Sequence, residues 1–296
     1  METRKLIVIL ADISGYTRFM LESRTAALHG QIVINRLIES ILREVDIPLT
    51  LQEIEGDAVF LYAAHPGSDR EWQDVTKQVS RKLMRFFDAF IAETGAMMEL
   101  SPCACPICHH ADQLGLKIIV HVGDAVFHSI AGRQQVSGPD VILAHRLLKN
   151  SVASNEYLLL TEAAFDAMGG DLPAGFVAAR ETYDGFDTVN VRVRPLDAEM
   201  LAARDAVYKL DRKALDSVVD RYVGLVGGDS IRGAARDQLR NPTRPLSRLE
   251  RVLLRWEAWV MPTLVPLRRI ATQGILARGH RKPPSLASGV RQRRPD

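Results

Sequence analysis

The sequence predicts an α+β fold of the ferredoxin-like plan, in which pairs of strands alternate with helices. Short apolar runs of strand length recur along the first 195 residues, separated by longer segments whose apolar residues have helical spacing. Two pairs of runs are joined by Gly-Asp, which is typical of hairpins in an antiparallel or mixed sheet. With 47% hydrophobic and 25% charged residues in a chain of 296, the composition is that of a globular protein with a substantial core.

The predicted elements follow the order β-α-β-β-α-β-β-α-β-α-β-β. The uninterrupted apolar run at 6–11 makes the first element a strand, and Ser14 or Thr17 can cap the helix that follows it. In chain order the elements are a strand at 5–11, a helix from 17 to about 44, a hairpin of 47–54 and 58–63, a helix at 72–93, a hairpin of 116–122 and 125–130 that turns at Gly123-Asp124, a helix at 141–148, a strand at 157–160, a helix at 163–168, and strands at 175–179 and 188–193.

The composition changes after Pro195, which predicts three regions. Residues 1–195 form an α+β domain, residues 196–279 a basic helical extension, and residues 280–296, rich in Arg, Pro and Ser, a disordered tail. Residues 231–296 carry fourteen Arg and one Lys against four acidic residues, a net charge of +11, so the whole-chain value of +2 leaves −9 on the rest. This asymmetry predicts that the extension contacts an anionic surface or folds back on the acidic body. A nucleic acid is disfavoured as a partner, because that body would repel it.

Cysteine usage and hydropathy predict a cytoplasmic protein. The three cysteines lie in one six-residue window, so they cannot form a disulfide framework across the fold. The N-terminus leads directly into a strand and lacks the pattern of a signal peptide. We expect no transmembrane segment, since charged residues and prolines interrupt the longest apolar stretch near the C-terminus.

The cysteine cluster itself is a candidate structural zinc site. Thiolates at C-x-C-x-x-C spacing with an adjacent imidazole match the ligands of a tetrahedral zinc. The predicted ligands are Cys103, Cys105, Cys108 and His109, and His110 or a residue elsewhere could replace His109. The alternatives are reduced loop thiols without a metal, and a redox disulfide between Cys103 and Cys105.

Two aspartates are the strongest functional signal. Asp12 ends the first apolar strand, and Asp57 follows Gly56 at a predicted hairpin turn. If adjacent strands bring the two carboxylates together, their negative charges repel each other. A bound divalent cation is the usual means by which proteins offset such repulsion. The alternative is that Asp12 caps the following helix and Asp57 serves only the turn.

Several segments resemble, in order, the class III adenylate/guanylate cyclase catalytic domain. The resemblance spans about residues 5–195, and the cysteine-rich loop, which lies outside the family's pattern, indicates a divergent subfamily. The matching segments are ADISGYT at 11–17 and EGDAV at 55–59, which are similar to the two metal-binding segments, and IVHVGDAV at 119–126 and GPDVILAHRL at 138–147, which are similar to a later hairpin and the catalytic helix.

The resemblance implies a site for a purine nucleoside triphosphate at the interface of a head-to-tail homodimer. Two Mg²⁺ or Mn²⁺ ions would be held by Asp12, Asp57 and the carbonyl of Ile13, and cyclisation would expel pyrophosphate. Arg146 would be catalytic. The remaining contacts implied are the phosphate-binding turn Ser14, Gly15, Tyr16 and Thr17, and the purine-selecting positions Glu53 and Gln135.

Departures from the family pattern leave two hypotheses open. The position of the family's ribose-binding Asn holds Ile142, and Gln135 is not one of the usual purine-selecting residues, although Glu53 is of the guanine type. No lysine stands at 183–194, where the family places a phosphate contact, and Arg192 or Arg194 could substitute. One hypothesis is a purine nucleotide cyclase with weak turnover. The other is a catalytically inactive regulatory module that binds nucleotide or another ligand.

Overall fold

The computed structural model describes residues 1–22, 27–100, 111–196 and 248–255, together with the single positions 198, 199, 202 and 239. The chain divides into two compact units, Met1–Leu225 and Val226–Asp296.

The first unit is built on an eight-stranded mixed sheet. Seven strands lie in the order β2-β3-β1-β4-β6-β8-β7, and β5 pairs with β4 outside this path. Neighbouring strands are antiparallel except β4 and β6, which are parallel. The strands are β1 (Glu2–Ser14), β2 (Thr50–Glu55), β3 (Ala58–Ala64), β4 (Gly115–Ile130), β5 (Arg133–Ser137), β6 (Tyr157–Thr161), β7 (Val177–Glu181) and β8 (Val189–Pro195).

Helices connect the strand pairs. Helix α3 packs on α2 and also contacts β4. The helices of this unit are α1 (Tyr16–Glu22), α2 (Ala27–Leu42), α3 (Asp69–Leu100), α4 (Pro139–Leu147) and α5 (Glu162–Met168).

The central strand β1 is buried on both faces, which explains its uninterrupted apolar sequence. Leu6, Val8 and Leu10 are at most 1% exposed and belong to one cluster with residues of β4, β6, β8 and helix α4. Ile7 and Ile9 are 0% exposed and face the other side of the sheet, since side chains alternate along a strand. Both β3 and β4 pair with β1.

The α+β fold class is confirmed, but the predicted hairpin at Gly123-Asp124 is wrong. Strand β4 runs without interruption through both residues, which pair with Leu6 and Lys5 of β1. The chain instead turns at Ala131 and Gly132, whose φ angles of 50° and 78° suit a two-residue hairpin. Strand β5, which follows this turn, was not predicted.

Gly123 stays in the strand because its missing Cβ makes room for helix α4. A Cβ there would overlap Cγ of Asp140, whose Oδ2 accepts a 2.7 Å hydrogen bond from the Asp124 backbone N–H. Beside it, His121 is buried, which lowers the pKa of its imidazole. Its Nδ1 is 2.9 Å from Thr161 Oγ1, and its Nε2 is 3.3 Å from Asp140 Oδ1. The start of α4 is therefore fixed on β4 through Asp140.

Gly123→Ala is expected to lower the free energy of unfolding by about 1–3 kcal/mol, because the new methyl group overpacks the contact with Asp140. Urea unfolding followed by circular dichroism measures this change. Gly170→Ala is the matched control, since a Cβ there would meet no atom within 4 Å. Equal stability of the two variants would contradict the proposed anchoring of α4.

In the second unit the structure describes one helix, α6 (Arg248–Arg255), whose Arg248, Arg251, Val252 and Arg255 are exposed. It lies within the helical extension predicted at 196–279. Most of the extension predicted at 196–279 and the whole tail predicted at 280–296 lie outside the described residues, so the three-region division stays a prediction. None of the described helices is long and apolar enough to cross a bilayer.

Candidate nucleotide and metal site

The sheet brings Asp12 and Asp57 to the same place. Asp12, near the end of β1, pairs with Ala58, the first residue of β3, and Asp57 immediately precedes Ala58 in the β2–β3 turn. The Ile13 backbone N–H donates a 3.2 Å hydrogen bond to the Asp57 carbonyl, which fixes the turn against β1. Gly56 has a φ of 66°, a left-handed conformation that a glycine adopts without strain.

The two carboxylates influence each other electrostatically. Burial, followed by repulsion from Asp12, raises the pKa of Asp57 from 3.8 to about 6. Attraction to Lys117 opposes this rise only in part. Asp57 therefore carries a negative charge that the surrounding protein does not fully compensate, as expected for a ligand of a cation.

Lys117 is a member of the site that the sequence analysis missed. It stands directly opposite Asp12 in the β1–β4 register, and its Nζ is 2.7 Å from Asp12 Oδ2. The same Nζ is 3.5 Å from the carbonyl of Leu148, just beyond α4. The available signal was a lysine within the strand 116–122, whose other residues except His121 are apolar, since a charge in such a position requires a partner.

Asp57→Asn is expected to stabilise the metal-free protein at pH 7–8. The folded-state pKa of Asp57 lies above its ordinary value, so the ionised carboxylate opposes folding. The penalty is absent below about pH 4, develops as the pH rises to about 6, and is complete above that value. Melting temperatures of wild type and variant between pH 4 and 8, without metal, should diverge as the pH rises. A difference in melting temperature that does not change with pH would contradict the raised pKa. Asp124→Asn is the control for loss of an exposed carboxylate.

The segment that resembles a phosphate-binding turn directly follows Asp12. Ser14 is the last residue of β1, Gly15 has a φ of 85°, and Tyr16 begins α1. Gly15 accepts a hydrogen bond from the Phe19 N–H at 2.9 Å, and Thr17 is exposed in the first turn. These residues therefore lie next to the aspartates, as the resemblance implies.

Helix α4 presents Ile142 and Arg146 on one exposed face, one turn apart. Ile142 is 53% exposed, which is unusual for so apolar a side chain. Between them, His145 packs edge-on against Phe60 of β3 at 5.2 Å and lies 4.0 Å from Glu55 Oε2 of β2, so this side chain links the helix to both strands. Within the described part of the chain, no ion pair joins Arg146 to Asp12 or Asp57.

The two positions to which the resemblance assigns purine selection, Glu53 and Gln135, lie on strands that are linked through a side chain. Glu53 is exposed on edge strand β2, and Gln135 lies on β5. The neighbouring Gln52 bridges the two strands, because its Nε2 donates to Gln135 Oε1 and to the Gln134 carbonyl, both at 3.2 Å. The amide of Gln135 is thus already engaged within the chain.

The two arginines considered as phosphate contacts on β8 are also engaged. Arg192 donates two hydrogen bonds to the carboxylate of Glu162, at 2.7 and 3.0 Å. Arg194 pairs with Glu199 and donates to the Ala174 carbonyl at 2.7 Å. Both would have to leave these partners to reach a phosphate.

The donor set at Asp12 and Asp57 fits a hard divalent cation. Carboxylate oxygens are the ligands that Mg²⁺ and Mn²⁺ prefer, and Mg²⁺ is usually held by one or two carboxylates together with substrate phosphates. Among the residues that the structure describes, no group of three or more His, Cys, Asp or Glu side chains gathers into a metal centre. The predicted zinc ligands Cys103, Cys105, Cys108 and His109 lie outside the described residues.

Sequence comparisons identify relatives whose names record no activity. A family model described as "Protein of unknown function (DUF2652)" matches residues 34–157. An "Uncharacterized protein Rv2561/Rv2562" of Mycobacterium tuberculosis (strain ATCC 25618 / H37Rv) is 30% identical over 127 residues, which is 43% of this chain and 56% of that protein. The chain thus spans about half the length of the curated relative it matches.

Solved structures with the same fold are nucleotide cyclases. The guanylyl cyclase Cya2 matches with a TM-score of 0.50 and 16% identity, over 65% of this chain and 92% of that one. The adenylyl cyclase CyaB from P. aeruginosa matches with a TM-score of 0.51 and 15% identity, over 65% of this chain and 94% of that one. At such identities the match establishes the fold alone. The first unit of this chain has the fold of adenylyl and guanylyl cyclases.

Proposed function

We propose that this chain binds a purine nucleoside triphosphate together with a divalent cation at Asp12 and Asp57. The observation that carries the proposal is the juxtaposition of these two carboxylates, at a place where burial, and then repulsion from Asp12, raise the pKa of Asp57 to about 6. A raised carboxyl pKa indicates that the ionised form is destabilised in the folded protein, and a bound cation would stabilise that form.

The small number of protein ligands favours joint binding of cation and nucleotide. Two carboxylates alone hold Mg²⁺ or Mn²⁺ weakly, whereas phosphate oxygens complete the coordination. When bound, the cation would neutralise charge on the phosphates and promote ionisation of the attacking hydroxyl. Asp12 and Asp57 orient the complex, and the turn from Ser14 to Thr17 lies beside it.

The partner-supplied half of the site is proposed from the resemblance. In a homodimer, helix α4 of one protomer would present Arg146 to the nucleotide of its partner. Glu53 would accept hydrogen bonds from the guanine N1–H and amino group, which favours GTP over ATP marginally. The amide of Gln135 adds little selectivity while it remains bonded to Gln52.

The second candidate is a regulatory module that binds nucleotide without cyclising it. The exposed Ile142 favours this candidate, because an isoleucine on that face of α4 cannot hydrogen-bond a ribose. Nucleotide binding is common to both candidates, and only the formation of a cyclic product separates them.

Equilibrium binding of fluorescent GTP and ATP analogues to the purified chain tests the proposal. Binding is expected with Mn²⁺ present and should disappear when the metal is chelated. Assays for cyclic nucleotide and pyrophosphate in the same samples distinguish the cyclase from the module. Absence of metal-dependent binding for both nucleotides would overturn the proposed function.

A further inference from the structure

The ion pair between Lys117 and Asp12 is built into the sheet by its register. The two residues are direct partners across antiparallel β1 and β4, and such partners have Cβ atoms only about 4.5–5.5 Å apart on one face. Lys117 Nζ consequently reaches Asp12 Oδ2 at 2.7 Å.

Limited solvent access strengthens this contact relative to a surface pair. The side chains of Lys117 and Asp12 are 20% and 15% exposed, so water screens their attraction less than at an open surface. The Leu148 carbonyl, 3.5 Å from Nζ, helps to hold the ammonium group in place.

A cation at Asp12 would meet this ammonium directly. The oxygen that Lys117 contacts is no longer a free metal ligand, and two positive charges at one carboxylate repel each other. Asp57 differs, because no lysine or arginine among the described residues forms an ion pair with it.

We propose that Lys117 is an internal counter-ion that competes with the divalent cation for Asp12, so that the cation binds first through Asp57. The cation involved is the one in the proposed function, but the competition itself requires no nucleotide. Without nucleotide the site is therefore kept at low cation affinity by its own lysine. Lys117 is a positioning residue, which acts on the cation through Asp12.

Binding of Mn²⁺ alone to the full chain, followed by the electron paramagnetic resonance signal of free Mn²⁺, tests this inference. Lys117→Met keeps most of the apolar stem and removes the charge. It is expected to tighten Mn²⁺ binding about tenfold, equivalent to about 1.4 kcal/mol. Lys117→Arg keeps the charge and should bind like wild type, as should Lys77→Met, which removes an exposed lysine of α3.

A folded Lys117→Met protein that binds Mn²⁺ no more tightly than Lys77→Met would overturn the inference. If circular dichroism shows that Lys117→Met does not fold, Asp12→Asn and Asp57→Asn decide the matter. We expect Asp57→Asn to lose more Mn²⁺ affinity, and equal losses would overturn the competition. Because no nucleotide is present, the proposed function can fail, through absence of nucleotide binding, while these measurements still decide the role of Lys117.

Discussion

Asp57→Asn will weaken binding of manganese-loaded GTP or ATP on the order of 100-fold. Mutation of a group that only orients a metal ligand typically lowers metal affinity about 10–100-fold. Loss of a carboxylate that binds the metal directly should lower the affinity by at least as much. Asparagine retains the size and turn preference of aspartate, and the Asp57 backbone carbonyl that accepts from the Ile13 N–H remains. The expected loss therefore comes from charge rather than from folding.

Titration of a fluorescent nucleotide at fixed Mn²⁺ measures this effect. Asp124→Asn is the matched control, since Asp124 is exposed on the same sheet but seven positions along β4 from Lys117, which is roughly 23 Å at the rise of a strand. The combination of weaker nucleotide binding with the higher thermal stability predicted above is specific to a ligand site. A variant that loses stability as well as binding would argue that Asp57 serves only the turn.

Ile142→Asn will raise the rate of cyclic nucleotide formation on the order of 10²–10³-fold if the remaining site is competent. This factor is what one positioned transition-state donor typically contributes. Ile142 is 53% exposed one turn before Arg146, so an amide there gains access to a ligand at little cost to packing. The gain should appear in kcat rather than in nucleotide affinity.

Product formation by wild type, Ile142→Asn and the double variant Ile142→Asn/Asp57→Asn measures the effect. The double variant should return to background, because activity still requires the cation. Val177→Asn, at a residue of β7 that is 63% exposed, controls for replacement of an exposed apolar side chain. Unchanged background activity in Ile142→Asn, together with intact nucleotide binding, would favour the regulatory module.

Local sequence was sufficient to predict the strands that bring Asp12 and Asp57 together. The run at 6–11 is apolar at every position because both faces of β1 are buried, and Gly56-Asp57 forms the turn that its composition indicates. These two features predicted the positions of Asp12 near the end of β1 and of Asp57 in the turn before the neighbouring strand β3. The metal and the nucleotide themselves stay predictions.

Tertiary context decided the features that local patterns missed. The dipeptide Gly123-Asp124 has turn composition, but Asp140 of α4 packs where a Cβ of Gly123 would lie, and the strand continues. Strand β5 has two adjacent glutamines and little apolar signal, so only its pairing with β4 defines it. The contact of Lys117 with Asp12 depends on a register between distant segments, which composition does not encode.

Because β4 is uninterrupted, the number of residues along it fixes where Lys117 and Gly123 lie relative to each other. Lys117, opposite Asp12, and Gly123, beneath Asp140, lie on the same face because their positions differ by an even number along the strand. One residue inserted between them would send either the lysine or the helix anchor to the wrong side of the sheet. Insertions and deletions should therefore be tolerated in the Ala131-Gly132 turn but not between Lys117 and Gly123. The position of the lysine and the attachment point of helix α4 are coupled in this way.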